Sequence, residues 1–464
     1  MQNSRLIALL NTLSKPEVRE LRKFLASPFF NRREDVPRLF GYLAGRSGRP
    51  PEKEQAFAYV YPGQPYNDQQ MRYLMSWLLQ AIEQYLALQP LLQDPSRQQA
   101  ALAQAYRQRG LGKHFEQSLR GLQQRQEAQP LRNAEYYEMQ YQILAEQYQY
   151  TAVQARLSEH NLQEVSDSID LAFIARKLRQ ACLLRSHQAV YQREYDFGML
   201  EAVLRHVQER GLLEVPAVAI YFHCYLALSR QEADEHFLVF RDLLLQQSGC
   251  FPVQEARDLY LLGLNYCIRR LNAGEERFAR EGLTLCQHGL ASGQLAPEGA
   301  ISRFTYRNAV AMALKEGELD WAEQFIHSYK EYLPLAHQES MYSFSLARLA
   351  YERRNYGQVL ELLQKSEYED LLLNLAAKTL LLKTYYELGE ADVLESHLEA
   401  MQAFLRRKDI IGYHRRNYRA IIRYAQKLLR LGPYDRAAAL RLRQQIEAES
   451  ALTEKAWLLR QIKG

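Results

Sequence analysis

At 464 residues the chain exceeds the size at which one hydrophobic core stops growing, so it must divide into several domains or extend as a repeat array. An apolar share of 47% beside 24% charged residues belongs to a folded protein and excludes a disordered one. The net charge of +5 is too weak to announce a nucleic-acid binder by itself.

Met1 to Ser14 reads as a short amphipathic helix carrying Leu6, Leu9, Leu10 and Leu13. It lacks the apolar run and small-residue cleavage site of a signal peptide. Ser14 and Glu17 then fit a capping box, with Pro16 in the first turn and Val18, Leu21, Phe24 and Leu25 as the apolar stripe. Ser27-Pro28 ends that helix, because the residue before proline is pushed out of the α region. Phe29-Phe30-Asn31 makes an apolar turn, Val36, Leu39, Phe40 and Leu43 mark the next helix, and Gly45 to Pro51 is a loop. Another helix starts at Asn67 with Gln70 three residues on, and carries Met71, Leu74, Leu78, Ile82, Tyr85 and Leu86. Residues 1–90 are therefore expected to form an N-terminal helical domain.

Residues 91–194 read as a connecting region of longer helices. Breaks fall at Gly110–Gly112 and Pro130, and near His160-Asn161 inside a stretch rich in Tyr and Gln. From residue 195 a repeat emerges. Arg303 to Leu314 supplies one helix. Gly317-Glu318-Leu319-Asp320-Trp321-Ala322, with Phe325, Ile326, Tyr329 and Pro334, supplies a turn and a second helix. The next turn is Asn355-Tyr356, with Leu346, Leu349, Leu360 and Leu363 facing inward. A third follows Tyr385-Tyr386 at Gly389, before Leu394 and Leu398. These turns recur at about 35–37 residues, against 34 for an ideal tetratricopeptide repeat. Weaker candidates lie at Tyr195, Tyr221–Leu245 and Leu261–Gly289. One helix pair cannot bury its apolar face alone, so pairs stack over residues 195–433, and residues 434–464 are expected to cap the array as one helix with Leu440, Leu442, Ile446, Leu452, Trp457 and Leu458.

The run Ser27-Pro28-Phe29-Phe30-Asn31, the segment Gly317–Pro334, and the stretch from Phe404-Leu405-Arg406-Arg407 through Tyr413-His414-Arg415-Arg416-Asn417-Tyr418 resemble a family of tetratricopeptide-like proteins of Bacteroidetes-type bacteria. The resemblance spans nearly the whole chain. It implies an all-α fold, a TPR-like α-solenoid of stacked helix hairpins in the cytoplasm, and no assigned activity.

Motifs for chemistry are sparse. Gly110-Leu111-Gly112-Lys113 is followed by His114 and flanked by helix, whereas a phosphate loop needs four residues between its glycines and Ser or Thr after the lysine. Five cysteines, Cys182, Cys224, Cys250, Cys267 and Cys286, show no Cys-x-x-Cys spacing, which speaks against zinc or a disulfide framework and for reduced thiols in a cytoplasmic protein. Among eleven histidines the closest pairs are His327 with His337 and His223 beside Cys224, and no two stand four apart on one helix face. Acids cluster at Glu232, Asp234 and Glu235, at Glu367, Glu369 and Asp370, and at Glu447 and Glu449, in polar turns or on exposed faces. No Gly-x-Ser-x-Gly elbow and no Cys/His nucleophile occurs. No metal or cofactor is therefore expected, nor catalysis. No run of roughly 20 uncharged apolar residues suits a membrane helix.

The charge cluster that stands out is Arg406 to Arg430. Arg416, Arg419, Arg423, Lys427 and Arg430 fall on one helical stripe opposite Tyr418, Ile421, Ile422, Ala425, Leu428 and Leu429. A solvated helix face is the plain account of such a stripe, and a landing strip for an acidic partner or for phosphates is the sharper one. In the arrays the chain resembles, first helices line a concave groove. The resemblance places Arg307, Asn308, Arg348 and Lys383 at groove positions, a ladder that Arg419 and Arg423 would continue. The expected function is a non-catalytic protein-protein interaction scaffold that holds an acidic or extended partner segment there, since charge-assisted bonds to carboxylate are about twice as strong as neutral ones. The alternative is a nucleic-acid-associated regulator using the basic 406–430 face.

Overall fold

Helix caps and turns written into the sequence become, in space, a succession of short helical hairpins. The computed structural model describes residues 4–45, 52–154, 161–191, 193–229, 234–364, 370–407, 412–432, 435–449 and 452–462. Among the described residues there are 23 α-helices and no strand. The chain divides into two compact units, residues 1–130 with 135–172, and residues 131–134 with 173–464.

The first unit opens with α1 (Arg5–Leu10) and α2 (Lys15–Ala26). The capping box at the start of α2 is complete: the Glu17 amide donates to Ser14 Oγ at 3.4 Å and the Ser14 amide donates to the Glu17 carboxylate at 2.7 Å. Ser27 turns extended before Pro28 and ends the helix. Next come α3 (Asp35–Ala44), α4 (Lys53–Val60) and α5 (Asp68–Gln93), the last capped by Asn67, whose side chain accepts from the Gln70 amide at 3.0 Å. Sequence patterning passes over α4. Its eight residues bury only Ala56, Phe57 and Val60, so packing on α3 and α5 holds it, not its own periodicity. These five helices enclose a core of Leu21, Leu39, Phe40, Phe57, Leu74, Leu78 and Ile82. A second core, with Ala103, Phe115, Leu122 and Ile143, lies between α6 (Pro95–Gln108), α7 (Gly112–Ala128) and α8 (Ala134–Gln154). The glycine motif at 110–113 is simply the turn of the α6–α7 hairpin, with Gly110 left-handed at φ 70°. The expected break at His160-Asn161 falls at the edge of the described residues, and α9 (Leu162–Tyr191) follows it.

The second unit continues as α10 (Leu200–Glu209), α11 (Pro216–Ser229), α12 (Asp234–Gln247), α13 (Val253–Asn272) and α14 (Phe278–Ala291). Then come α15 (Arg303–Glu316), α16 (Leu319–Ser328), α17 (Gln338–Glu352), α18 (Tyr356–Gln364), α19 (Leu371–Leu388), α20 (Ala391–Arg407) and α21 (Gly412–Leu429). Each helix packs on the next from α11 to α21, and the first members of successive pairs also meet: α11 with α13, α15 with α17, α17 with α19. The turns expected at 317, 355 and 389 fall between α15 and α16, α17 and α18, and α19 and α20. Gly317 and Gly389 adopt φ 76° and 75° there, a region that favours glycine. Where helices press closest they need glycine for space: a Cβ on Gly263 would stand 2.9 Å from Leu285 Cδ1 and 3.3 Å from Phe240 Cε1.

Near the start of this unit a buried carboxylate ties four segments together. Glu255, at the first turn of α13, is 4% exposed. It accepts from Tyr221 Oη on α11 at 2.7 Å and from Asn133 Nδ2 at 3.1 Å, and Arg179 of α9 lies 3.5 Å away. The Arg132 amide donates to the Cys250 carbonyl at 2.8 Å beside it.

The C-terminal segment departs from expectation. It is two helices, α22 (Arg436–Ala448) and α23 (Lys455–Gln461), not one. Glu449 is extended and Glu454 left-handed, so neither can continue a helix. Leu442, Ile446, Trp457 and Leu458 enter the core shared with α19, α20 and α21, while Leu440 is exposed because it lies off the face that carries Leu442 and Ile446.

Candidate functional site

Arg307, Arg348 and Lys383 stand on α15, α17 and α19, and two of them, Arg348 and Lys383, lie around one acid. Lys383 on α19 is only 8% exposed. Its Nζ lies 2.8 Å from Glu454 Oε2 and 4.5 Å above the Tyr351 ring of α17. Burial works to raise the Glu454 carboxyl, but the charges of Lys383, then Arg348 and Arg460, outweigh it and leave the group below its ordinary range. Arg307 and Arg348 are half-buried and close enough to feel one another. Arg307 and Glu454 act in opposite senses on the Tyr418 phenol of α21, which burial pushes up to about 12. Asn308 stands beside Arg307, also half-buried.

One expectation needs correction. Lys383 does not face an open trough, because Glu454 and the Tyr351 ring cover it. On α21 Tyr418 shares surroundings with Arg307, and Arg423 stands about 140° round the helix from Tyr418. Arg419 and Arg423 are both exposed.

The segment that brings Glu454 into place is fixed by further bonds. Trp457 Nε1 and Gln461 Nε2 each donate to Glu387 Oε1 of α19 at 2.9 Å, and the Tyr351 hydroxyl reaches the same oxygen at 3.4 Å. The indole is 2% exposed and meets the Tyr386 ring edge-on at 5.4 Å. Lys455 Nζ donates to the Glu447 carbonyl at 2.6 Å, meeting the last turn of α22. A short helix bearing an acid and an indole thus lies on a face built from α17 and α19. Periodicity cannot reveal such a contact, since Lys383 and Glu454 are 71 residues apart.

On α21 the stripe Arg416, Arg419, Arg423, Lys427 and Arg430 is exposed throughout, while Ile421, Ile422, Ala425 and Leu428 are buried behind it. Arg423 pairs with Glu449, and Lys427 Nζ donates to Gln445 Oε1 at 2.6 Å, so two of the five lean on α22. Lys408 and Asp409 of the 406–430 cluster lie outside the described residues.

Elsewhere the acids are engaged in structural pairs. Asp234 at the head of α12 pairs with Arg270 and Arg277 and accepts from the Tyr266 hydroxyl. Asp370 caps α19 and pairs with Arg303 at 2.9 Å. Glu232, Glu367 and Glu369 lie outside the described residues. One histidine pair escaped the sequence reading. His223 and His236, 13 residues apart on α11 and α12, place their Nδ1 atoms 3.0 Å from each other. Among the described residues no group of three or more His, Cys, Asp or Glu side chains is placed to hold a metal ion. None of the described helices is long and apolar enough to cross a membrane. No family model, curated protein or solved structure matches this chain.

Proposed function

We propose that the chain is a non-catalytic scaffold, a TPR-like α-solenoid of the cytoplasm whose cation-bearing first helices hold an acidic segment of a protein partner. One observation carries the reading: Lys383, buried over the Tyr351 ring, already grips a carboxylate at 2.8 Å, with Arg348 acting on the same acid. A buried ammonium requires such a partner, and charge-assisted bonds of this kind are strong and directional. The resemblance to tetratricopeptide-like proteins and the packing of first helix on first helix agree with it.

The test is recovery of tagged wild type and Lys383→Glu protein from the native host, with circular dichroism confirming equal helicity. At least one abundant co-purifying protein with an acidic segment should fall tenfold or more in the variant. Identical sets from both would remove this face from the function.

The exposed stripe on α21 supports a second reading, association with RNA or DNA through phosphate contacts. A mobility-shift assay at two salt concentrations decides it. Binding should weaken steeply with salt, with a shallower salt slope in Arg416→Glu, Arg419→Glu, Arg430→Glu protein. No retention at the lower salt eliminates it.

A further inference from the structure

We infer that residues 452–462 are a displaceable ligand of the α17–α19 face, and that the external partner is a short helix of the same chemistry: an acid followed three residues later by a large aromatic and then an aliphatic side chain. The inference rests on the proposed reading of this face as a receptor for acidic segments, and deepens it by naming the segment's pattern.

Three features of the segment separate it from an ordinary terminal helix. First, α23 has seven residues, too few to be helical without a surface to lie on. Second, beside the burial of Trp457 and Leu458 in the shared core, it is tied to α19 by discrete side-chain bonds, Glu454 to Lys383 and Trp457 and Gln461 to Glu387, a pattern that another chain can copy. Third, Glu454 holds φ at 56°, a conformation costly for a residue with a side chain. Lys383 grips the carboxylate of the residue so held. A partner helix with an acid at that place and no such kink gains the same bond without the strain.

Arg348 and Lys383 lie within electrostatic reach of Glu454, and Arg307 shares with it the surroundings of Tyr418. Glu387 meanwhile sits as a bond acceptor for the indole. Specificity follows from the pair: cations read the acid, and Glu387 with Tyr386 reads the aromatic N–H and ring.

Hydrogen exchange on the full wild-type chain tests displaceability directly. The amides of 456–461 should exchange at least 100-fold faster than those of α19 and α21, through openings insensitive to denaturant. Exchange of α23 in step with α19 and α21 would make it an integral part of the core and overturn the inference. In parallel, a fluorescent synthetic peptide with the sequence of residues 449–462 should bind full-length Glu454→Lys, Trp457→Ala protein at least tenfold more tightly than wild type. A peptide with lysine in place of the acid at position 454 should lose that binding. Equal affinity for both proteins, or for both peptides, refutes it, and if the double variant does not fold the exchange measurement still decides. Peptide binding together with co-purifying proteins indifferent to Lys383→Glu would defeat the proposed function and keep only the displaceability of residues 452–462. The opposite pair of results would do the reverse.

Discussion

His223 illustrates how one side chain can set a pH range for the whole second unit. Burial, and then the neighbouring His236, pull its pKa from 6.5 down to about 4. Between those values the unfolded chain binds a proton that the folded one does not, so stability falls as pH drops from about 6.5 to about 4 and this contribution is flat below it. Urea midpoints of wild type and His223→Gln should diverge over that window, the variant losing less on acidification. Parallel curves would show that the pair does not titrate as described. Glu255 makes a second expectation at this scale. Glu255→Ala removes the carboxylate that Tyr221, Asn133 and Arg179 share, and a loss of about 3–5 kcal/mol in chemical denaturation is expected, with Glu255→Gln markedly milder.

Among elements, the α13–α14 crossing is the tightest test of packing. Gly263→Val would press on Leu285 and Phe240, both held in the interior, and overpacking of this kind costs about 1–3 kcal/mol. A thermal midpoint unchanged in the variant would mean the helices can move apart freely. Helix starts and stops were the most legible part of the sequence because they depend on residues three or four apart. The Ser14–Glu17 box, the Asn67 cap and the left-handed Gly317 and Gly389 all occur where local rules place them. Short α4 and the break before α23 were not legible. The first is held by packing on α3 and α5, and the second turns on Glu454, whose side chain pairs with Lys383, 71 residues earlier. The same holds for Glu454: Arg307, Arg348 and Lys383 could be placed on helices from the sequence, but the acid that covers Lys383 could not.

Within the second unit each helix from α11 to α21 packs on the next, so a change at one place should be felt mainly by its neighbours. Ile421→Ala removes a fully buried side chain from the α19–α23 core and should cost about 2–5 kcal/mol there. Hydrogen-exchange protection should fall across α19 to α23 while α11 to α14 keep theirs. A uniform loss over the unit would replace the nearest-neighbour picture with a single cooperative core.

The Glu255 hub also orders events in time. Asn133, Arg179 and Tyr221 leave the ribosome before the acid that joins them, so the base of the second unit stays open until α13 has been synthesised. A nascent chain stalled ahead of residue 255 would present these three side chains without the carboxylate that joins them. One stalled after α13 would have closed over them.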